Sequence, residues 1–183
     1  EKQGHLTPVP FQQLTTLRPD DTARIAGELL RGNETALRTL KEQGACDLSY
    51  SLPERGRFRV NIFKQRGSFA IVMRVIAGKV PTLAELKLPP VLSEMATLKN
   101  GIVLVTGPTG SGKSSTLAAI IDLINDTRAE HILTIEDPIE FLHAHKRGTV
   151  HQRELHSDTP TFSAALRAAL RQAPKVILVG EMR

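Results

Sequence analysis

The sequence contains one cysteine, Cys46, one tyrosine and no tryptophan. A single thiol excludes an intrachain disulfide and any cysteine-built zinc site, which suits a reducing compartment. So few large aromatic rings argue against a protein that stacks single-stranded bases on its side chains. Long apolar runs are missing as well: none approaches the roughly 18 residues a helix needs to cross a bilayer. The first residues, Glu1-Lys2-Gln3-Gly4-His5, lack the charged-then-apolar profile of a secretion signal. Neither internal repeats nor low-complexity tracts occur. What remains is a chain of 183 residues with 40% hydrophobic content, enough for one large domain or two small ones, expected in the cytosol. A net charge of +5 suits nucleic acid, anionic lipid or phosphorylated small molecules and does not choose among them.

Two grammars divide the chain. Asp20 or Asp21 is placed to cap a helix carrying Ile25, Ala26, Leu29 and Leu30, closed by Gly32. Asn33 is placed to cap a second helix with Ala36, Leu37 and Leu40, closed by Gly44 in a left-handed position. From Cys46 the apolar period becomes two. The runs 47–52, 57–63 and 68–76 read as consecutive antiparallel strands, joined by Pro53-Glu54-Arg55-Gly56 and Gln65-Arg66-Gly67. Prolines 81, 89 and 90 then punctuate a semi-rigid connection. Beyond Gly101 short β-rich runs alternate with helices: 102–106, 113–126, 131–135, 162–173 and 176–179. That alternation implies a parallel sheet with crossover helices. The expected domains are 1–80, a linker with a first helix over 81–100, and 101–183.

Between the apolar run 102–106 and the helix that follows lies Gly107-Pro108-Thr109-Gly110-Ser111-Gly112-Lys113-Ser114-Ser115, which fits G-x-x-x-x-G-K-[ST] in its required strand-to-helix setting. Glycines let the backbone curl so that successive N–H groups face an anion, and the helix beginning at Lys113 adds its positive dipole end. A chance match in a chain of this length is on the order of 1%. The pattern predicts ATP with Mg²⁺, Lys113 bridging the terminal phosphates and the Ser114 hydroxyl on the metal.

Hydrolysis further requires acids at the carboxyl ends of the parallel strands. One run ends in Glu136-Asp137-Pro138 and another in Gly180-Glu181. An acid after a buried strand is often only a solvated end, but beside a phosphate loop the pair is better explained as a site. Glu136 is assigned to water activation and Glu181 to Mg²⁺ through water. Asp137 is either a partner to Glu136 or the start of the turn at Pro138.

GPTGSGKSS, ILTIEDPIEF (Ile132 to Phe141), VHQRELHSDT (Val150 to Thr159) and VILVGEMR (Val176 to Arg183) resemble the Walker A, Asp box, connecting segment and Walker B of secretion ATPases, specifically type IV pilus retraction motors of the PilT kind. The likeness is loose before residue 57 and close after Ile102. The segment Gln152 to His156, Met182 and the lack of zinc-binding cysteines favour retraction over assembly motors. The resemblance implies an α/β protein: a PAS-like α+β N-terminal domain, its start truncated, followed by a RecA-like P-loop ATPase domain cut after Walker B. It also implies a homo-hexameric ring at the inner-membrane pilus machinery, a platform protein as partner, and neither nucleic acid nor zinc. Arg59 in FRVN and Arg74 in MRVI match motifs whose arginines swing toward the γ-phosphate in related ATPases, where a guanidinium neutralises developing charge.

His143, His145, His151 and His156 crowd one polar segment, but without regular ligand spacing they read as a surface loop rather than a metal site. Gln172-Ala173-Pro174-Lys175 replaces an acidic tract usual in the family, which bears on subunit contacts more than on phosphate chemistry. The chain is expected to be a fragment. Rival readings are a RecA-like nucleic-acid translocase or helicase, and a regulatory ATP-binding module without turnover.

Overall fold

A computed structural model describes residues 16–53, 56–76 and 78–181. Met182, Arg183 and the Glu54-Arg55 part of the first expected turn lie outside them. Two compact units divide the described residues: one holds those through Asp47 together with Val60–Met73, the other Leu48–Arg59 and the residues from Arg74 onward.

In the first unit α1 (Pro19–Leu29) starts with proline at its first position, and the N–H of Arg18 donates to Asp21 Oδ2 at 3.0 Å. Arg18, not an aspartate, is therefore the N-cap residue. Asp21 caps from inside the first turn, where proline has no N–H to satisfy. The second helix, α2 (Glu34–Gln43), follows the sequence closely: Asn33 Oδ1 accepts from Ala36 N at 2.9 Å, and Gly44 closes it at φ 78°. Three strands, β1 (Ala45–Leu52), β2 (Gly56–Gln65) and β3 (Ser68–Ile76), form a sheet in that order. Arg66 and Gly67 both have positive φ, 46° and 78°, the geometry of a two-residue hairpin turn, so β2 and β3 run antiparallel.

The second unit continues with α3 (Val91–Met95), α4 (Lys113–Thr127), β4 (His131–Glu136), β5 (Thr149–Glu154), α5 (Phe162–Ala169) and β6 (Val176–Val179). Its sheet is parallel, with β4 between β5 and β6. Every residue of β4 after His131 is buried. Side chains alternate faces along a strand, and here the alternation separates two cores. Ile132 packs with Ile120, Ile121 and Ile124 of α4 and with Val150, while Leu133 and Ile135 pack with Ala165 and Ala169 of α5. Burying Ile132, Leu133 and Ile135 stabilises the unit by roughly 1.5–3 kcal/mol each.

Three expectations change. The run Ile102 to Thr106 is not a strand: no described strand pairs with it, and Ile102 is 86% and Leu104 64% exposed. A run with strand propensity becomes a strand only where a neighbour supplies the other half of the hydrogen-bond ladder. β5 is a strand where a polar connecting segment was expected, held by its register against β4. α5 stops at Ala169 rather than 173, since beyond it Leu170 is 84% exposed and has no core to cover.

Asn125 is fully buried on α4, its Nδ2 donating to Ala144 O at 2.8 Å and its Oδ1 accepting from Lys146 N at 3.3 Å. Asn125→Ala takes the donor from the Ala144 carbonyl, whereas Lys146 N keeps Gly148 O at 3.2 Å, and we expect a loss of about 1–2 kcal/mol, measured as a lower urea midpoint with unchanged slope.

Candidate functional site

The even-numbered residues of β4 face α4, and along that face the chemistry changes. At its amino end lie Ile132, Val150 and Val176, in register and apolar. One step on, Thr134 pairs with Gln152, and at the carboxyl end Glu136 pairs with Glu154. The sheet therefore delivers polar groups to the end where ligands bind in open parallel sheets.

The loop before α4 is shaped by glycine where no other residue fits. Gly107 has φ 151°, and a Cβ there would meet Ser111 Oγ at 2.7 Å. Gly112, at φ 90°, is the N-cap of α4, a backbone state that an L side chain rarely adopts. Ser111 N donates to Pro108 O at 3.2 Å, closing the turn. Lys113 Nζ donates to the carbonyls of Gly107 at 3.0 Å and Pro108 at 2.9 Å, so its charge lies over the loop rather than out in solvent. Ser114 and Ser115 occupy the first turn of α4.

Loop and strand ends share one cavity of about 520 Å³. Thr109, Gly110, Gly112, Lys113, Ser114 and Ser115 line it on one side; Glu136 and Asp137 from β4, and Gly180 and Glu181 after β6, line it on another. Arg74 reaches the same cavity, whereas Arg59 is exposed on β2 and is not among the lining residues. The arginine that turns inward is Arg57, which the sequence did not single out: its Nη2 donates to buried Glu154 Oε2 at 3.0 Å. Strand periodicity puts Arg57 and Arg59 on one face and leaves open which of them finds a carboxylate.

Glu136 is 9% exposed. Its Oε1 accepts from Thr134 Oγ1 at 2.6 Å and from Gln152 Nε2 at 3.2 Å, and its Oε2 accepts from Glu140 N at 3.4 Å. Burial pushes this carboxyl above the usual carboxylate range; the three hydrogen bonds oppose the shift, and the charge of Glu140 adds to it. Gly180 makes room for the side chain: a Cβ there would lie 3.2 Å from Glu136 Cγ and 3.3 Å from its Cα, while Gly180 N donates to Ile135 O at 2.8 Å. A side chain on residue 180 would require Glu136 to give way by a few tenths of an ångström.

The histidines separate. His143, expected in a surface loop, has a side chain only 2% exposed and lines the cavity, its Nδ1 3.8 Å from Asp122 Oδ1. Burial pushes its imidazole below the ordinary histidine value, and Asp122 opposes that. His151 stands on β5 with its Nδ1 3.0 Å from His131 Nε2, and His145 Nδ1 accepts from Val150 N. Among the described residues no three His, Cys, Asp or Glu side chains are disposed to hold a metal ion by themselves.

A curled, glycine-dependent loop of amides at a helix start, a lysine over it and serine hydroxyls beside it fit the phosphates of a nucleotide. Hard oxygen donors on Ser114 and Glu181 suit Mg²⁺, which keeps most of its own water.

Comparison with known proteins agrees. Residues 30–183 match the family model described as type II/IV secretion system protein. The chain is 51% identical over 151 residues to the "Type IV pilus retractation ATPase PilT" of Pseudomonas aeruginosa, covering 82% of this chain and 44% of that protein. It is 48% identical over 167 residues to a "Twitching motility protein" of Neisseria gonorrhoeae, covering 90% and 45%. Among solved structures, "Crystal Structure of the Pilus Retraction Motor PilT and Bound ADP" superposes with a TM-score of 0.83 at 48% identity, over 90% of this chain and 47% of that one. The chain thus spans less than half the length of these relatives. Their likeness extends to the fold class: an α/β protein with an N-terminal antiparallel sheet followed by a parallel sheet flanked by helices.

Because burial raises the Glu136 carboxyl in the fold, its ionised form costs stability above its folded pKa and costs nothing below its unfolded one. Glu136→Gln is therefore expected to raise the melting temperature at neutral pH, with the gain shrinking as pH falls into the ordinary carboxylate range; thermal scans across pH measure it.

Proposed function

The chain belongs to the type II/IV secretion system protein family, and from that membership we propose that it is the nucleotide-binding part of a motor ATPase that couples ATP hydrolysis to type IV pilus retraction. One cavity carries the reading: the phosphate loop, the buried Glu136, Glu181 and Arg74 all line it. A relative of the same fold carries ADP by its printed description.

The roles follow from chemistry. The amides of residues 107–115 and the Lys113 ammonium bind the phosphate chain and orient its last group toward the strand ends. Glu136, partly desolvated and hydrogen-bonded through both oxygens, is held to take a proton from an attacking water. A carboxyl raised by burial is a better base at neutral pH than an exposed one. Ser114 and Glu181 would hold Mg²⁺, directly or through water; the ion supplies charge neutralisation on the phosphates when bound. Arg74, which lines the cavity, would face the terminal phosphate, where its fixed charge stabilises what develops during transfer. Arg59 remains a weaker candidate for that role because it is exposed outside the cavity.

The same reading gives a homo-hexamer working at the inner-membrane pilus machinery with a platform protein, without nucleic acid and without zinc. Among the described residues no helix is long and apolar enough to cross a membrane, which is compatible with a peripheral motor.

In the complete protein, Lys113→Ala is expected to weaken nucleotide binding by about 10- to 100-fold, the worth of a charge-assisted contact. Glu136→Gln is expected to bind nucleotide normally and to lose about 10²- to 10⁴-fold in turnover. Titration with a fluorescent nucleotide and a phosphate-release assay separate the two. Normal turnover in Glu136→Gln would sink the assignment.

A further inference from the structure

The loop after β4 forms a wall of the cavity through Asp137, Pro138, Glu140, Phe141 and His143. Two side chains of β5 hold it at alternate residues. Glu154 Oε2 accepts from Ile139 N at 2.9 Å. Gln152 takes the next two positions: its Nε2 donates to Phe141 O at 2.8 Å, and its Oε1 accepts from His143 N at 2.8 Å. The same Nε2 also donates to Glu136 Oε1 at 3.2 Å.

That arrangement leaves the amide no freedom. An N–H faces its oxygen, and two acceptors, a carbonyl and a carboxylate, face its nitrogen. Turned over, the group would set oxygen against both acceptors and nitrogen against a donor, losing every bond. Glu136 Oε1 is thereby fixed from two sides, by Thr134 within its own strand and by Gln152 from the neighbouring one. The bond to Glu136 adds nothing to loop anchoring, which the other contacts already provide.

We propose that Gln152 is a positioning residue: its amide orients the Glu136 carboxylate toward the nucleotide and ties that orientation to the loop from Asp137 to His143. The inference rests on the reading of Glu136 as the base. It adds that Gln152, a residue outside the cavity lining and on the strand next to β4, sets the geometry of that base. Gln152→Glu is the telling substitution, because the isosteric carboxylate keeps an acceptor for His143 N but has no N–H to give Glu136 or the Phe141 carbonyl.

In the complete protein, Gln152→Glu is expected to lower kcat by between about ten- and a hundred-fold, as misplacement of a reacting group does. Affinity for a fluorescent ADP is expected to stay within about two-fold, since Gln152 does not line the cavity, and the His143 amide to keep its protection in hydrogen exchange, since it uses the retained acceptor while Glu154 still holds Ile139 N. Gln152→Ala is expected to lower kcat too, and to leave Glu136→Gln no slower when combined with it, because two residues serving one step do not add. Wild-type kcat in Gln152→Glu, or the full additional loss in the Gln152→Ala, Glu136→Gln double variant, overturns the proposal while leaving the base in place. Unimpaired turnover of Glu136→Gln alone overturns the reading beneath it, and the proposal with it.

Discussion

Everything at the site depends on β4 being buried on both sides between β5 and β6. A strand so enclosed can turn only one set of side chains toward α4, and the pleat makes that set Ile132, Thr134 and Glu136. The first anchors the strand to the α4 core. The last arrives, with no freedom of register, beside the helix whose start carries the phosphate loop. A shift of one residue would send Glu136 to the α5 side and bring Leu133 and Ile135 into the cavity.

From that constraint follows the division of labour between the two sides of the cavity. In the proposed reading the loop side supplies grip: backbone amides and the Lys113 charge, available because Gly107 and Gly112 adopt conformations that L side chains rarely take. In the same reading the sheet side supplies chemistry: a carboxylate that burial pushes toward the protonated form and hydrogen bonds pull back. Gly180 belongs to this side too, since its missing Cβ lets the residue after β6 approach Glu136 closely.

Much of this could be read in the sequence because local rules sufficed. The caps at Asn33 and Gly44, the phosphate loop and the helix it opens, and the acids ending two apolar runs each announce themselves over a few residues. What could not be read depends on pairing. β5 is Thr-Val-His-Gln-Arg-Glu, a polar run whose inward residues are Val150, Gln152 and Glu154, and only its register against β4 shows that two of these face a buried carboxylate and a loop. Ile102 to Thr106 is the converse, a run with every strand preference and no partner among the described strands. Arg59 stands out by its place in FRVN, whereas nothing local marks Arg57, whose partner Glu154 is distant in sequence.

The most direct test is a crystal structure of the complete protein with Mg²⁺ and a non-hydrolysable ATP analogue. The phosphates should lie on the amides of residues 107–115, with the Glu136 carboxylate, still bonded to Thr134 and Gln152, facing the terminal one. A nucleotide seated away from that loop, or a Glu136 turned out of the cavity while nucleotide is bound, would contradict the account.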